Sequence, residues 1–180
     1  MILSFAAMGS RQVPVLFAIT AALCSLTAGS RPTAAAAEKA AAIAVIDFNY
    51  VDTSGEPRDQ QAEHAARLAA FMAALKRDLV AAGHFRLVAP ACGAAPCSVA
   101  DTTEQDLLQA ARRAGADFVL IGGVRKMSTL VQWAKVEVVE VKSERIVLDK
   151  LFTFRGDTDE AWKRAEAFIA DECSMLRTSP

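Results

Sequence analysis

Histidine and tyrosine are scarce in this 180-residue sequence, which contains two histidines and one tyrosine. Hydrolysis by a nucleophile requires a serine or cysteine with a base held beside it. With two histidines, the sequence offers few candidates for that base. His64 directly follows Glu63 and lies about 100° from it around a helix, so the two cannot form the HExxH arrangement of zinc enzymes. We predict that His64 is a solvated helix residue and that His84 lies near the carbonyl end of that helix. No catalytic residue is predicted.

Clusters of basic residues are also missing, because the 20 lysines and arginines are scattered among 21 acidic residues. A nucleic-acid-binding surface requires a basic patch or stripe, so nucleic acid is not an expected partner. Gly122 and Gly123 lie inside a strand pattern that is followed by neither GK[ST] nor GxGxxG, which argues against a phosphate-binding loop. We expect this pair to permit close packing under a helix or Trp133. No cofactor and no metal ion is predicted.

The one long apolar run, VPVLFAITAALCSLTAG, follows Arg11 and precedes the small residues of PTAAAAEKA. This layout is typical of a secretory signal peptide, and we place the cleavage after Ala37. Residues 1–37 are therefore predicted to be a signal peptide, and residues 38–180 a single periplasmic domain without a transmembrane helix. An uncleaved anchor and cleavage nearer Gly29 are alternatives. Lipidation at Cys24 requires a small residue before the cysteine, where Leu23 stands.

Cysteine is sparse as well, and none of the pairs has the C-x-x-C spacing of redox enzymes. Cys92 and Cys97 flank four residues between turn-forming prolines, which favours a local disulfide in an oxidising compartment. A bridge from Cys173 to one of the two is the alternative. One thiol remains unpaired in either case.

The periodicities of the mature chain predict the element order β-α-β-α-β-β-β-α. Strands are predicted at 41–52, 84–88, 116–127, 130–141 and 145–154, and helices at 60–82, 103–114 and 158–176. The strand at 116–127 is apolar on both faces and is expected to be central. Val138 and Val139 interrupt an alternating pattern, which predicts a bulge. The expected fold is α/β of mixed type, with a single mixed five-stranded sheet and about three packed helices.

Three acidic residues lie close together in LFTFRGDTDEAWKRAEAF. They suit the first turn of the last helix, with Asp157 or Thr158 as the N-cap and Asp157-x-x-Glu160 as a capping box. A calcium site is the alternative, but calcium takes six or more oxygen ligands, and the local sequence does not supply them. Partner binding by the acidic turn is a third possibility.

Lys126, Ser128 and Arg155 are expected near strand ends, where they could form a polar cluster that binds an anion or a carboxylate of a partner protein. Solvated strand ends are the alternative interpretation of the same residues. This cluster is the predicted partner-binding site.

Two sequence blocks carry a resemblance to a known family. The residues GADFVLIGGVRKMS and RGDTDEAW resemble blocks of the domain-of-unknown-function family 2380 and its relative 3280, which are small secreted bacterial proteins. The wider pattern, with AVIDF in the first strand, resembles the TolB N-terminal domain and CsgG-like periplasmic modules. The resemblance implies a periplasmic protein-binding or assembly domain without established catalytic residues. It also suggests an association with quinone-dependent alcohol oxidation.

Together these observations predict a secreted, non-enzymatic accessory or protein-binding module of the cell envelope. The expected partner is another periplasmic or envelope protein, and the oligomeric state is left open. The alternative function is a periplasmic small-ligand or metal-handling protein that uses the acidic turn and the cysteine loop.

Overall fold

The structure is a computed structural model that describes residues 40–93 and 97–176. The signal peptide predicted for residues 1–37 lies outside the described residues. In chain order the elements are β1 (Ala41–Val45), β2 (Asn49–Asp52), α1 (Gln61–Ala81), β3 (Phe85–Val88), α2 (Glu104–Arg113), β4 (Phe118–Lys126), β5 (Val131–Glu140), β6 (Arg145–Arg155) and α3 (Asp159–Ser174). Across the described residues, no helix has the length and apolar character that a membrane span requires.

The strands form one mixed sheet in the order β3-β1-β4-β5-β6, with β2 also paired to β4. β1 pairs in parallel with β3 and β4, because each connection passes through a helix. β5 pairs antiparallel with β4 and β6 through short turns. The predicted mixed α/β class is confirmed, and β4 is central as its two apolar faces indicated.

The sheet has six strands, whereas the sequence predicted five. The predicted strand at 41–52 is broken at residues 46–48, where Asp47 forms an isolated bridge with Ser98. β1 therefore lies beside the first part of β4, and β2 lies beside Gly123 to Lys126 of the same strand. The break turns Ile46 into the core around α2 and Phe48 into the core around α1.

Helices cover the two faces of the sheet unequally. α1 and α3 pack on one face over the main core, whose strand residues include Ile43, Leu120, Val136 and Leu148. α2 packs on the other face through Leu107, Ala110 and Ala111, against residues of β1 and the first half of β4. The far part of that second face, on β4, β5 and β6, has no helix over it among the described residues.

A bulge lies where the sequence predicted one, because the register of β5 and β6 shifts between Val138 and Val139. The extra residue is Val147 on β6. Leu148 faces the main core, but the bulge turns Ile146 to the opposite side, where 53% of it is exposed. Strict alternation along the strand would place Ile146 and Leu148 on one face, but alternation fails across a bulge.

Gly122 and Gly123 permit close approach of other atoms, but not of the partners expected from the sequence. A Cβ atom on Gly122 would lie 2.5 Å from the Lys135 carbonyl oxygen and from the Phe48 ring. On Gly123 it would collide with the Asn49 side chain. The side chains packed against the glycine pair thus come from the segment around β2, and not from a helix or Trp133.

The Cys92–Cys97 disulfide is present, as predicted. Cys173 lies buried in α3 and forms no bridge within the described residues.

Candidate functional site

The segment that joins β6 to α3 directs an aspartate into the protein. Gly156 adopts φ +97°, which L residues rarely adopt, and its N–H donates to the Leu130 carbonyl at 3.0 Å. Asp157 then points between α1, β4 and β5, and only 12% of its side chain is exposed. Glycine in this sharp exit from the strand therefore places Asp157 at the centre of a buried polar cluster.

Asp157 accepts four hydrogen bonds from three different elements, α1, β4 and β5. Its Oδ2 accepts from His64 Nε2 at 2.7 Å and from Lys126 Nζ at 2.8 Å. Its Oδ1 accepts from Arg67 Nη1 at 2.9 Å and from Gln132 Nε2 at 3.2 Å. A carboxylate can accept about four such bonds, so its hydrogen-bonding capacity is filled. We call Asp157, His64, Arg67, Lys126, Gln132, Glu56 and Gln60 the ionic centre.

Lys126 is the deepest charged residue of the ionic centre, with none of its side chain exposed. Besides Asp157, its ammonium group donates to Glu56 Oε2 at 2.7 Å and to Gln60 Oε1 at 2.5 Å. A lysine ammonium has three donor hydrogens, and all three have acceptors here. Both charge and hydrogen-bonding capacity of Lys126 are therefore satisfied within the fold.

The pKa values of these groups favour their charged forms. Burial alone would raise the pKa of Asp157, but hydrogen bonds from Lys126 and His64 outweigh it and lower that pKa to about 2. Burial alone would lower the pKa of Lys126, and the hydrogen bonds to Asp157 and Glu56 raise it instead. The pKa of Arg67 is raised in the same way, against burial, by Asp159 and Asp157. The ionic centre therefore consists of mutually neutralising charges.

His64 is buried, with 2% of its side chain exposed, so the prediction of a solvated helix residue was wrong. Its ring lies against Tyr50, with the ring centroids 4.6 Å apart, and its Nε2 contacts Asp157. The Tyr50 hydroxyl is buried and has no hydrogen-bond partner in the part of the chain that the structure describes, and burial, with nearby Asp52 and Asp157, raises its pKa. The contact between His64 and Asp157 spans 93 positions in sequence, which local helical periodicity cannot indicate.

The N-cap of α3 is Thr158, whose Oγ1 accepts from the Ala161 N–H at 3.3 Å. Of the two predicted cap residues, Asp157 instead belongs to the ionic centre. Glu160 pairs with Arg164 one turn later, so Asp157 and Glu160 do not form the predicted capping box. Within residues 40–93 and 97–176, no group of three histidine, cysteine or acidic side chains has the arrangement of a metal site.

The three residues of the predicted partner-binding cluster are not brought together. Lys126 is buried in the ionic centre and cannot contact a partner. The Ser128 hydroxyl accepts from the Val131 N–H in the turn between β4 and β5. Arg155 is exposed at the end of β6. The reason is that successive side chains of a strand point to opposite faces of the sheet. Lys126 lies on the inward face of β4 with Leu120 and Val124, whereas Arg155 pairs with Val131 on the outward face.

The ionic centre has the chemistry of a structural ion-pair cluster that connects neighbouring elements of the fold. Cys173, the free thiol among the described residues, is buried, and burial raises its pKa to about 12, which makes it a poor nucleophile. Sequence reasoning missed His64, Arg67, Gln132, Glu56 and Gln60. One signal in the sequence could have indicated the ionic centre. Lys126 alternates with the core-facing residues of an apolar central strand, and a lysine buried there requires an acidic partner.

The sheet surface that α2 leaves uncovered is the second feature of interest. Trp133 pairs with Arg125 on one side and Thr153 on the other, and Lys135 pairs with Gly123 and Leu151. A shallow depression of about 500 Å³ lies over this region. We call the surface formed by these outward residues the open sheet face: Val51, Ile121, Arg125, Trp133, Lys135, Leu151 and Arg155.

The fold and these features define a small α/β domain with an internally neutralised ionic centre and an open sheet face. The sequence profile of the family DUF3280, described as "Protein of unknown function (DUF2380)", matches residues 41–173, and the chain belongs to this family. The two blocks on which the resemblance rested meet in the structure, through the hydrogen bond between Lys126 and Asp157. No curated protein matches the chain at a significant level.

Several solved structures have a similar fold. Hypothetical protein CT253 from Chlamydia trachomatis is 13% identical with a TM-score of 0.50, over 74% of this chain and 96% of that one. The PelC dodecamer from Paraburkholderia phytofirmans is 18% identical with a TM-score of 0.49, over 79% and 91%. TolB from Acinetobacter baumannii is 13% identical with a TM-score of 0.46, over 77% of this chain and 29% of TolB. At these identities the likeness concerns the fold alone.

Proposed function

We propose that this protein is an exported, non-enzymatic accessory module of the cell envelope that binds another envelope protein through the open sheet face. The observation that carries the proposal is the unequal covering of the sheet. α1 and α3 bury one face, whereas α2 covers only one end of the other. An exposed apolar sheet surface of this kind commonly marks a site of protein association.

The composition of the open sheet face suits a protein partner. Trp133 and Val51 are each 36% exposed and Leu151 is 55% exposed, although strand residues of this kind are usually buried. Tryptophan and arginine are enriched among the residues that contribute most to protein association. Trp133 therefore serves as the anchor in this proposal, with Val51 and Leu151 around it.

The charges around Trp133 indicate which partner surface fits. Lys135 is neutralised by Asp149 and Glu137 on the same side of the sheet. Arg125, across from Trp133, and Arg155, further along β6, have no ion-pair partner within the described residues. The complementary surface is thus an apolar patch bordered by carboxylates. Arg155 keeps its proposed role in partner binding, and Arg125 replaces the buried Lys126.

Two further observations support the non-enzymatic role and the compartment. The charges of the ionic centre are engaged with one another, which leaves them unavailable to a substrate. A local disulfide between Cys92 and Cys97 is typical of an oxidising compartment and agrees with the signal-peptide pattern at residues 1–37. The acidic turn and the cysteine loop are both engaged within the fold, so the alternative metal-handling function gains no support from them.

The proposal is tested with Trp133→Asp and Arg125→Glu, compared with Val80→Asp, which changes an exposed apolar residue on α1, on the side of the sheet opposite the open sheet face. Each variant carries an affinity tag and is expressed in the native host in place of the wild-type chain. Proteins that copurify are identified by quantitative mass spectrometry, and circular dichroism confirms folding.

We expect one or a few envelope proteins to copurify with the wild type and with Val80→Asp, and their recovery to fall at least tenfold with Trp133→Asp and Arg125→Glu. Equal recovery with all four proteins would refute the role of the open sheet face. Recovery of a second copy of this chain alone would replace the proposed partner by self-association.

A further inference from the structure

A groove of about 660 Å³ runs between α1 and α3, on the side of the sheet opposite the open sheet face. Its floor is formed on α1 by three alanines one turn apart, Ala66, Ala70 and Ala74, together with Phe71. Trp162 and Glu166 form the α3 side. Small residues on facing helices leave this space, which has the size of a typical small-molecule site.

Two polar atoms in the wall of the groove lack partners. Glu166 is 2% exposed, and its Oε1 has no hydrogen-bond partner among the described residues. Trp162 is also 2% exposed, and its Nε1–H is likewise unpartnered. Most buried polar groups in native proteins are hydrogen-bonded, and leaving one unpaired destabilises the fold. Two such groups one turn apart on the same helix indicate that a bound molecule supplies their hydrogen-bond partners.

The charged groups that surround Glu166 do not neutralise it. Burial, together with the nearby Asp78 on α1 and Asp171 on α3, raises the pKa of Glu166 to about 7. Arg77 on α1 lowers it, but its guanidinium donates to Asp78. Lys163, on the groove rim, makes no ion pair among the described residues. The carboxyl group therefore lacks a cation of its own within the fold.

We propose that this groove binds a small organic amine, with its ammonium group on the Glu166 carboxylate and its apolar body along the alanine floor. An ammonium group supplies the missing countercharge to a buried carboxylate. The faces of Trp162 and Phe71 favour a nearby cation and an apolar body at once. A hydroxyl or carbonyl oxygen beside the amine would accept from Trp162 Nε1–H. The proposal is independent of the open sheet face.

Protonation of Glu166 sets the pH dependence of this binding. The carboxyl group must be ionised to pair with an ammonium group, and its folded-state pKa near 7 lies above the ordinary value for glutamate. Amine binding should therefore strengthen as the pH rises from about 5 to about 8, the range in which a carboxyl group with such a pKa ionises. Binding should lower the pKa of Glu166 and release a proton.

The test uses the full mature chain, with phenethylamine and butylamine as probes and phenethyl alcohol and phenylacetate as matched neutral and anionic compounds. Binding is measured by calorimetry at pH 5 and pH 8. The indole N–H signals in the NMR spectrum locate the site, because the chain has two tryptophans and only Trp162 lines the groove. Glu166→Gln is the test variant, and Glu160→Gln, on the exposed part of α3, is the control.

We expect at least one amine to bind at pH 8, to shift the Trp162 indole signal but not that of Trp133, and to bind at least tenfold more weakly to Glu166→Gln and at pH 5. Equal binding of the alcohol or phenylacetate would overturn the assignment of an amine. Unchanged amine binding by Glu166→Gln, or absence of binding by both amines to the folded wild type, would overturn the site itself.

Discussion

At the residue scale, the structure depends on Asp157 more than on any other polar side chain of the ionic centre. It joins α1, β4, β5 and the approach to α3 through hydrogen bonds to His64, Arg67, Lys126 and Gln132. Removing one partner of a buried ion pair is strongly destabilising, because the remaining charge stays buried without compensation. Asp157 therefore stabilises the fold by keeping Lys126 neutralised.

Replacement of Asp157 by Asn is expected to destabilise the protein by about 3 to 5 kcal/mol, since it removes one of the two carboxylates that accept hydrogen bonds from the buried Lys126 and one that pairs with Arg67. Urea unfolding measures the change. Asp159→Asn is the matched control, because Asp159 also contacts Arg67 but its side chain is 91% exposed. Exposed ion pairs contribute about 1 kcal/mol or less, so the control should change stability little. Equal losses in the two variants would contradict the role assigned to Asp157.

The lowered pKa of Asp157 also predicts a pH dependence of stability. Its folded-state pKa of about 2 lies below the ordinary value. The contribution is therefore complete above about pH 4 and is lost as the pH falls through about 2, with a total of roughly 2 to 3 kcal/mol. Unfolding measured between pH 5 and pH 2 should show this loss in the wild type. Asp157→Asn should show a correspondingly smaller decline.

At the element scale, local patterns in the sequence predicted the order and type of the main helices and strands. Apolar periodicity located α1 and the central strand β4, and the adjacent valines Val138 and Val139 located the bulge. The failures depend on contacts between distant segments. The break before β2 and the inward turn of His64 depend on partners far away in sequence, and local periodicity carries no information about them.

The packing of β2 against β4 predicts different effects for the two neighbouring glycines. Gly122→Ala places a methyl group against the backbone oxygen of Lys135 and the Phe48 ring, so a loss of roughly 1 to 3 kcal/mol is expected. Gly123→Ala meets the side chain of the exposed Asn49, which can turn away. Chemical denaturation measures both. Adding Asn49→Ala should restore stability to Gly123→Ala and not to Gly122→Ala, and the reverse pattern would contradict the described pairing.

At the scale of the whole molecule, cysteine usage and the N-terminal sequence make one combined prediction. Protein isolated from the periplasm should begin at Glu38, as determined by mass spectrometry. Denatured without reduction, it should carry one reactive thiol, Cys173, because Cys92 and Cys97 are bridged. After reduction it should carry three. An N-terminus at Met1, or three thiols before reduction, would contradict the proposed export and oxidation.

The two sides of the sheet have different roles in the proposed functions. The side covered by α1 and α3 contains the ionic centre and the amine groove, whereas the side partly covered by α2 presents the open sheet face. Partner binding and amine binding can therefore be tested separately. Trp133 reports on the open sheet face and Trp162 on the groove.

The most direct test of the central proposal is photo-crosslinking in living cells from a benzoylphenylalanine placed at Leu151, on the open sheet face. The same residue placed at Val80 on α1 is the control, because Val80 is also an exposed apolar residue, at 42% against 55% for Leu151, and lies on the opposite side of the sheet. We predict a crosslink to one envelope protein from position 151, which Trp133→Asp abolishes, and no such crosslink from position 80. Identical crosslinks from both positions, or none from position 151 in the folded protein, would contradict the proposal.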